Sequence, residues 1–491
     1  MRTGTGDGMR QPVRPRVGVL LVGCPRYRKL GADTERGEYD ARKKQFAEGF
    51  LRDLGEIAEP VYPGIVYERE DVQRAIRHFL ENTVDCIVCT FLSWSQDYAW
   101  VRFLRDVYDV PLLSYVPTLS RAEYDDTRDE DDFIQFLSNG GLVGSLVGSG
   151  SVPRLSRTAE VLVGAFASVK ERISSFARAA HARARLRGAR FGLVANYNEL
   201  MWSTYIDPYN MFARIGPELH FISYAELKHE TDAVSDEAAA AYVRELSDRY
   251  TVEPDVAPEL FLESARASLA LANMREGHGL DALVLNDVDH ELFETIGLRP
   301  GFYHESFGAN DAVLVPEGDL GAGTIVYALK RMTGAQVNFA EPFYVEEATN
   351  SFAAGHAGPN DHTDDSVREL VRVSRDVRFA KTSFRFAGAP FAWYRIAPGP
   401  KTFAHFSEVD GAYKIVSFTA ESLPGKHQLC SYSHSDFRPA GSVTALFERV
   451  ISVGTTQHFA VVDGDARADL ARLARLSGFA FHDLDREGQT T

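Results

Sequence analysis

Short apolar runs alternate with segments of helical periodicity over the first two-thirds of the chain, and this alternation constrains the fold more than any other feature. Residues 17–22 and 86–91 are rich in β-branched side chains and predict strands, whereas residues 38–54 place apolar side chains at helical spacing. Strands that alternate with helices favour parallel sheets covered by helices on both faces. The predicted fold class is therefore α/β, with two Rossmann-like parallel-sheet domains.

The pattern changes near residue 333, where short β-rich runs separated by Gly or Pro replace the alternation. Runs at 377–385 and 443–453 are among the predicted strands, and a final helix is predicted at 466–476. These runs predict a β-rich, antiparallel, barrel-like C-terminal domain. The predicted organisation is a disordered tail at 1–15, an N-terminal α/β domain at 16–180 with a bridging helix from about 158 to 187, a central α/β domain at 181–332, and the β-rich domain at 333–491.

The charge balance excludes some classes of partner. The formal net charge is −16, from 53 Lys and Arg against 69 Asp and Glu, whereas nucleic-acid binding usually shows a concentrated basic footprint. No apolar run approaches the roughly 20 residues of a membrane span. We therefore expect no nucleic-acid partner and no membrane association. Four cysteines in 491 residues favour a reducing compartment, and we expect a cytoplasmic protein.

Cys86 and Cys89 form a C-x-x-C motif, which is one pattern of redox and metal sites. They lie inside the predicted strand at 86–91, and residues three apart on a strand point to opposite faces of a sheet. The motif is therefore interpreted as part of a buried strand rather than as a chelating pair.

Four potential metal ligands follow one another in the second half of the chain. Glu317 comes directly after the predicted strand at 312–315, and the carboxyl end of such a strand is where α/β proteins bind ligands. Glu341 ends the next predicted strand, His356 lies in a predicted loop of Gly and Ala, and His458 precedes the final helix. From spacing alone, capping or solvated carboxylates and packed histidines remain the alternatives.

The sequence around these four residues resembles the L-arabinose isomerase family and, more distantly, the L-fucose isomerase family. The elements that carry the resemblance are Glu317-Gly318-Asp319, Phe339-Ala340-Glu341-Pro342-Phe343, Gly355-His356 and the segment 454–458. The resemblance implies that Glu317, Glu341, His356 and His458 bind a divalent metal, Mn²⁺ in the first place, with Co²⁺ or another divalent ion as alternatives. It also gives Glu317 and Glu341 the role of catalytic acid and base.

The resemblance implies an intramolecular oxidoreductase, a sugar isomerase that interconverts the aldose and ketose forms of a free sugar. The proton would move between C1 and C2 through a metal-stabilised enediolate. Family members are homo-oligomers, so we expect a tetramer or hexamer. The alternatives are a non-catalytic sugar-binding protein that retains the fold, and a different metal-dependent enzyme that uses a His/carboxylate site.

Two departures from the family affect the expected substrate. Gly-Cys-Pro-Arg at residues 23–26 replaces a Gly-Ser-Gln element that contacts sugar in the arabinose isomerases, and Gln457 precedes His458 where the family has paired histidines. The resemblance therefore supports the class of reaction more than any particular sugar. The other residues predicted to contact substrate are Gln96, Asn286, Asp287 and His290. His362 is predicted to lie in a surface turn.

Overall fold

The structure is a computed structural model that describes residues 13–107, 109–309, 311–376, 388–425 and 427–486. The chain divides into two compact units: Val13–His181 forms the first, and the described residues from Ala182 onward form the second. Most of the predicted tail, residues 1–12, lies outside the described residues, as does the predicted strand at 377–385. Within the described residues, no helix is long and apolar enough to cross a bilayer.

The described residues of the first unit form a parallel sheet with the strand order β2-β1-β3-β4-β5. The strands are β1 (Arg16–Val22), β2 (Glu59–Val61), β3 (Cys86–Phe91), β4 (Leu112–Pro117) and β5 (Ala159–Gly164). The helices are α1 (Tyr39–Leu54), α2 (Arg69–Glu81), α3 (Tyr98–Asp106), α4 (Glu130–Ser138), α5 (Gly141–Ser149), α6 (Ser151–Arg154) and α7 (Phe166–Arg187). The order 2-1-3-4-5 is that of flavodoxin-type doubly wound sheets.

Strand β3 is buried along its whole length, which confirms the prediction for the C-x-x-C motif. Cys86 and Cys89 are free, buried thiols in the middle of the sheet. Burial raises the pKa of both thiols, so both are held in the neutral form that does not ligate metal.

The bridging helix predicted from about residue 158 is wrong at its start, because β5 occupies Ala159–Gly164 and α7 begins only at Phe166. The β-branched Val161 and Val163 favour an extended backbone, and β4 offers them an unpaired edge. Leu162 between them is fully buried, so the alternation of this run is that of an edge strand.

The second unit begins with another parallel sheet, with the order β10-β9-β6-β7. The first five strands of the second unit are β6 (Arg190–Val194), β7 (Glu218–Ile222), β8 (Thr251–Val252), β9 (Ala282–Leu285) and β10 (Val313–Val315), and β8 lies outside this parallel sheet. The accompanying helices are α8 (Pro208–Arg214), α9 (Tyr224–Ala233), α10 (Asp236–Arg249), α11 (Pro258–Gly277), α12 (His290–Ile296), α13 (Glu305–Ala309) and α14 (Leu320–Thr333).

The remaining strands of the second unit include six that build a closed antiparallel barrel, as the sequence predicts. These remaining strands are β11 (Val337–Glu346), β12 (Ser351–Ala357), β13 (Arg372–Arg375), β14 (Pro390–Trp393), β15 (Gly399–Val409), β16 (Ala412–Leu423), β17 (Tyr432–Pro439), β18 (Phe459–Asp463) and β19 (Ala480–Asp483), with helices α15 (Val443–Ser452) and α16 (Arg467–Ser477). The barrel order is β15-β18-β11-β12-β17-β16, closed by pairing of β16 with β15. Strand β19 pairs with β16 outside this ring, and β8, β13 and β14 form a separate small sheet.

Aromatic side chains fill the barrel. The rings of Phe403 and Phe418 stack with centroids 4.8 Å apart, and Phe352 lies 5.4 Å from Phe403. Phe437 and Phe459 contact the same cluster, and all five rings are buried. Large rings at inward-facing positions supply the apolar contact that holds the ring of strands together.

The strand predicted at 443–453 is wrong, because these residues form helix α15. Val443, Leu446 and Val450 are its buried side chains, at the spacing of one helix face. Ser442 precedes them, and its hydroxyl accepts a hydrogen bond from the Ala445 amide at 3.3 Å. The N-cap and the period of three to four residues outweigh the β propensity of the valines and isoleucine.

We expect a variant with both Cys86→Ser and Cys89→Ser to keep its metal content and to lose stability. Each buried hydroxyl without a partner costs about 1–3 kcal/mol, so the melting temperature should fall. Elemental analysis and thermal melts of the folded variant measure the two effects, and Cys430→Ser, at an exposed thiol, is the matched control. Loss of metal from a folded double variant would identify the C-x-x-C motif as a metal site.

Candidate metal centre

Glu317 lies in a tight turn between β10 and α14, so the prediction of its place after a strand is confirmed. Glu317 and Gly318 both have left-handed backbone conformations, with φ of +64° and +69°. The next residue, Asp319, caps α14, and its Oδ1 accepts a hydrogen bond from the Ala322 amide at 2.8 Å. The chain thus turns directly from the carboxyl end of the sheet into a helix, with the Glu317 side chain at the turn.

His356 lies within strand β12 and is buried, so its predicted place in an accessible loop is wrong. The small residues around it allow close pairing with β17: a Cβ on Gly355 would come 2.4 Å from the Ser433 carbonyl oxygen. Small side chains in this segment therefore serve close strand packing rather than a flexible loop. His458 is also buried, directly before β18.

The second unit brings Glu317, His356 and His458 together, and we call them the Glu–His–His cluster. Glu317 Oε1 lies 3.2 Å from His356 Nε2, and Glu317 Oε2 lies 3.2 Å from His458 Nε2. One ligand atom from each residue falls within 4.8 Å of the others, an arrangement that could hold a metal ion. The Phe339 ring packs against both imidazoles, with centroid distances of 4.5 Å.

Asp319 orients one of the imidazoles. Its Oδ2 lies 2.8 Å from His458 Nδ1, so the Nδ1–H can donate to Asp319 while Nε2 faces Glu317. A carboxylate behind the far nitrogen is the usual support of a metal-ligating histidine. His458 Nε2 is buried; Glu317 Oε2 lies 3.2 Å away, but the nitrogen has no hydrogen-bond partner among the described residues and is available to a further ligand.

The charges of the cluster are strongly coupled. Burial alone would raise the pKa of Glu317, but the His356 and His458 imidazoles hold it well below its usual range. Burial would lower the pKa of His458, yet Asp319 and Glu317 raise it to about 9. The two carboxylates therefore favour positive charge at this point, which a proton or a bound cation can supply.

Glu341 lies outside the Glu–His–His cluster in this structure. It was predicted to end a strand, but β11 continues to Glu346, and Glu341 pairs with Gly355 just before a register shift at Pro342. Proline has no amide hydrogen to donate to the ladder, so a bulge forms there while the strand continues. Glu341 is thus half-buried on the strand that lies between β12 and β18.

Tyr432 shows that Glu341 shares its surroundings with the cluster. Burial is the main cause that raises the pKa of Tyr432 to about 12, and Asp376, Glu341 and Glu317 add to the effect. The carboxylates of Glu341 and Glu317 therefore act on the same phenol.

Two of the residues predicted to contact substrate lie near the turn that carries Glu317, and one of them, Asp287, holds its backbone. Asp287 Oδ1 accepts a hydrogen bond from the Glu317 amide at 2.9 Å, and Asn286 Nδ2 donates to Asn196 Oδ1 at 2.9 Å. Both are buried directly after β9. Asn286 Oδ1 is buried and, among the described residues, has no hydrogen-bond partner, which leaves it free to accept from a ligand.

The other two residues predicted to contact substrate lie elsewhere. His290 begins α12, and its side chain is 71% exposed beside Glu294. Gln96 belongs to the first unit, where it is half-buried in the loop between β3 and α3.

His362 is buried, so its predicted position in a surface turn is wrong. Its Nε2 accepts a hydrogen bond from the Tyr303 amide at 3.0 Å, and its Nδ1 lies 3.1 Å from the Tyr250 hydroxyl. Burial lowers its pKa to about 4, so the ring is neutral and hydrogen-bonded on both nitrogens. It lies outside the cluster of potential ligands.

Asp319 and Phe339 are the site residues whose roles sequence reasoning missed. An Asp before an apolar helix is a recognisable N-cap signal, so the contact with Ala322 could have been found from the sequence. The second contact of the same carboxylate reaches His458, 139 residues further along the chain, and has no local signal.

The second unit therefore combines a parallel α/β sheet and a closed antiparallel barrel with a candidate divalent-metal centre of one carboxylate and two imidazoles. No known family model matches the chain, and no curated protein matches it.

We expect Mn²⁺ to raise the melting temperature of the metal-free protein and His458→Ala to remove most of that increase. An ion that binds only the folded state at a hundred times Kd stabilises it by about 2.7 kcal/mol, and the variant lacks one of the clustered ligands. His362→Gln is the control, since it alters a buried histidine outside the cluster. Melts with chelator and then with Mn²⁺ make the comparison; a shift kept by His458→Ala and lost by His362→Gln would contradict the assignment.

Proposed function

We propose that this protein is a metal-dependent aldose–ketose isomerase that acts on a free sugar. The observation that carries the proposal is the convergence of Glu317, His356 and His458 from three distant parts of the chain. The fourth residue implied by the family resemblance, Glu341, lies on the adjacent barrel strand. We also propose that both parallel sheets are Rossmann-like and that the protein is a cytoplasmic homo-oligomer.

The residues present fit a divalent transition metal. Imidazole nitrogens favour such ions over Ca²⁺ and Mg²⁺, and a carboxylate offsets the charge, so Mn²⁺ or Co²⁺ suits this donor set. Glu317, His356 and His458 would hold the ion, with Glu341 as a further ligand from its neighbouring strand. When bound, the ion would polarise the carbonyl of the sugar and stabilise negative charge on its oxygens.

The two glutamates have different surroundings, which suits an acid/base pair. Glu317 is held ionised between two imidazoles, and we assign it to the proton on the sugar oxygen. Glu341 lies outside the cluster and is half-buried, and we assign it to the proton that moves between C1 and C2. Groups in such unlike environments can carry out separate proton transfers.

Asn286 is the strongest candidate for contact with a sugar hydroxyl. The side-chain oxygen of Asn286 is buried. The residue lies beside Gly318, in the turn that carries Glu317, since a Cβ on Gly318 would come 3.3 Å from the Asn286 Cβ. A buried acceptor of this kind discriminates for substrates that can donate a hydrogen bond to it.

We expect Glu341→Gln to lower kcat for ketose formation by at least about 100-fold, because the amide is not a proton acceptor. The protein loaded with Mn²⁺ is tested on a panel of free aldoses in D₂O, with ketose formation and deuterium incorporation as readouts. Glu346→Gln is the matched control, since Glu346 is an exposed residue at the end of the same strand.

Three outcomes of this experiment distinguish the alternatives. Turnover retained by Glu341→Gln would remove this residue from the mechanism. Sugar binding without ketose or deuterium incorporation would favour a non-catalytic sugar-binding protein. Metal binding with neither sugar binding nor turnover would favour a different metal-dependent enzyme.

A further inference from the structure

Arg299 is a fully buried guanidinium next to the candidate metal centre. Its side chain is 2% exposed, and it pairs with Asp287, whose side chain is completely buried. Arg299 Nε donates to Asp287 Oδ2 at 3.2 Å, and Nη2 donates to the same oxygen. The guanidinium also lies over the Phe391 ring, with Cζ 5.6 Å from the ring centroid.

This ion pair is poorly explained by stability alone. Burial of two charges carries a large desolvation penalty before their attraction is counted, and well-packed apolar residues often replace such pairs without loss of stability. Moreover, Arg299 Nη1 is buried and, within the described part of the chain, lacks a hydrogen-bond partner. An expensive, incompletely satisfied pair indicates that the position of one partner matters for another reason.

The second carboxylate oxygen of Asp287 holds the backbone of Glu317. Asp287 Oδ1 accepts the hydrogen bond from the Glu317 amide, while Asn198 Nδ2 donates to the Glu317 carbonyl oxygen at 3.2 Å. Both peptide groups that flank the Glu317 side chain are therefore held by buried side chains. Glu317 needs this support because a left-handed backbone is unfavourable at a residue with a Cβ.

We propose that Arg299 is a positioning residue: by fixing Asp287, it holds Glu317 in the turn that directs its carboxylate between His356 and His458. This inference rests on the proposed metal-binding function of the cluster. It adds a residue that lies outside the cluster and sets the metal affinity through one intermediate side chain.

The charges around Arg299 agree with this role. Burial alone would lower the pKa of Arg299, but Asp287 and Asp376 raise it, with a smaller contribution from Glu317. The guanidinium is therefore surrounded by carboxylates from three segments of the second unit. A charged donor strengthens a hydrogen bond to a carboxylate, so the Arg299 guanidinium fixes Asp287 more firmly than a neutral donor would.

The test compares Arg299→Lys with Lys330→Arg. Lys keeps the positive charge at position 299 but cannot reproduce the two hydrogen bonds that Arg299 Nε and Nη2 donate to one Asp287 oxygen. Lys330 also forms a buried pair with a carboxylate in the described second unit, with Asp361 at 3.2 Å, and touches none of the cluster residues in the contacts described. Both variants retain a buried charge pair, so both are expected to fold.

We expect Arg299→Lys to raise the Kd of the full-length protein for Mn²⁺ by about 10- to 100-fold, the usual effect of losing an outer-shell support. Lys330→Arg should bind Mn²⁺ as the wild type does, even if its metal-free melting temperature falls. Titration calorimetry with Mn²⁺ alone gives the Kd, and circular dichroism confirms that each variant is folded. Arg299→Gln, which removes the charge as well, should weaken binding further.

An unchanged Kd in folded Arg299→Lys would overturn the inference, as would an equal loss in Lys330→Arg or absence of Mn²⁺ binding by the wild type. Sugar turnover is measured on the same samples, so the two proposals can fail separately. A wild type that binds Mn²⁺ without isomerising any sugar removes the proposed activity. The dependence of the Kd on Arg299 would then still support the positioning role.

Discussion

The candidate site of the second unit depends on the pairing of the Glu317 carboxylate with two buried imidazoles. An ionised carboxylate in such a position is unfavourable unless it is paired, because it loses its hydration when it is buried. Its partners come from β12 and from the residue before β18, so the pairing is possible only when the barrel is closed and the parallel sheet is attached to it. The burial of the Glu317 charge therefore depends on the same strand and sheet contacts that define the architecture of this unit.

Helix α14 makes that attachment. It packs against β9 and β10 of the parallel sheet and against β11, β15 and β18 of the barrel. Asp319 at its N-terminus uses one carboxylate oxygen to cap the helix and the other to hold His458. Negative charge at a helix N-terminus is favourable in its own right. A local requirement of the helix thus places the support for a ligand that lies far away in the sequence.

Local patterns predicted more of the fold than of the site. The strand–turn–helix around Glu317 follows from a β-branched run, a glycine and a capping Asp, all within ten residues. Predictions were wrong where tertiary contacts decided the secondary structure. Val443–Ser452 forms a helix, although it contains several β-branched residues, because its buried face packs on the barrel. His356 lies in a strand because its small neighbours allow close pairing. The Asp287 and Asp319 contacts join residues 30 and 139 positions apart, and periodicity carries no information about them.

The different surroundings of the two glutamates bear on how one site could both hold a metal and move protons. Glu317 is fixed at its backbone by Asp287 and at its carboxylate by two imidazoles, so it has little freedom to change position. Glu341 lies outside the cluster, directly before the register shift between Pro342 and Tyr344. A carboxylate fixed within the cluster and a second carboxylate beside it are complementary, because one can hold a metal while the other remains available to accept a proton. On this reasoning the place of Glu341 on the strand next to His356 is part of the site, since it puts a second carboxylate beside the cluster without making it one of the clustered ligands.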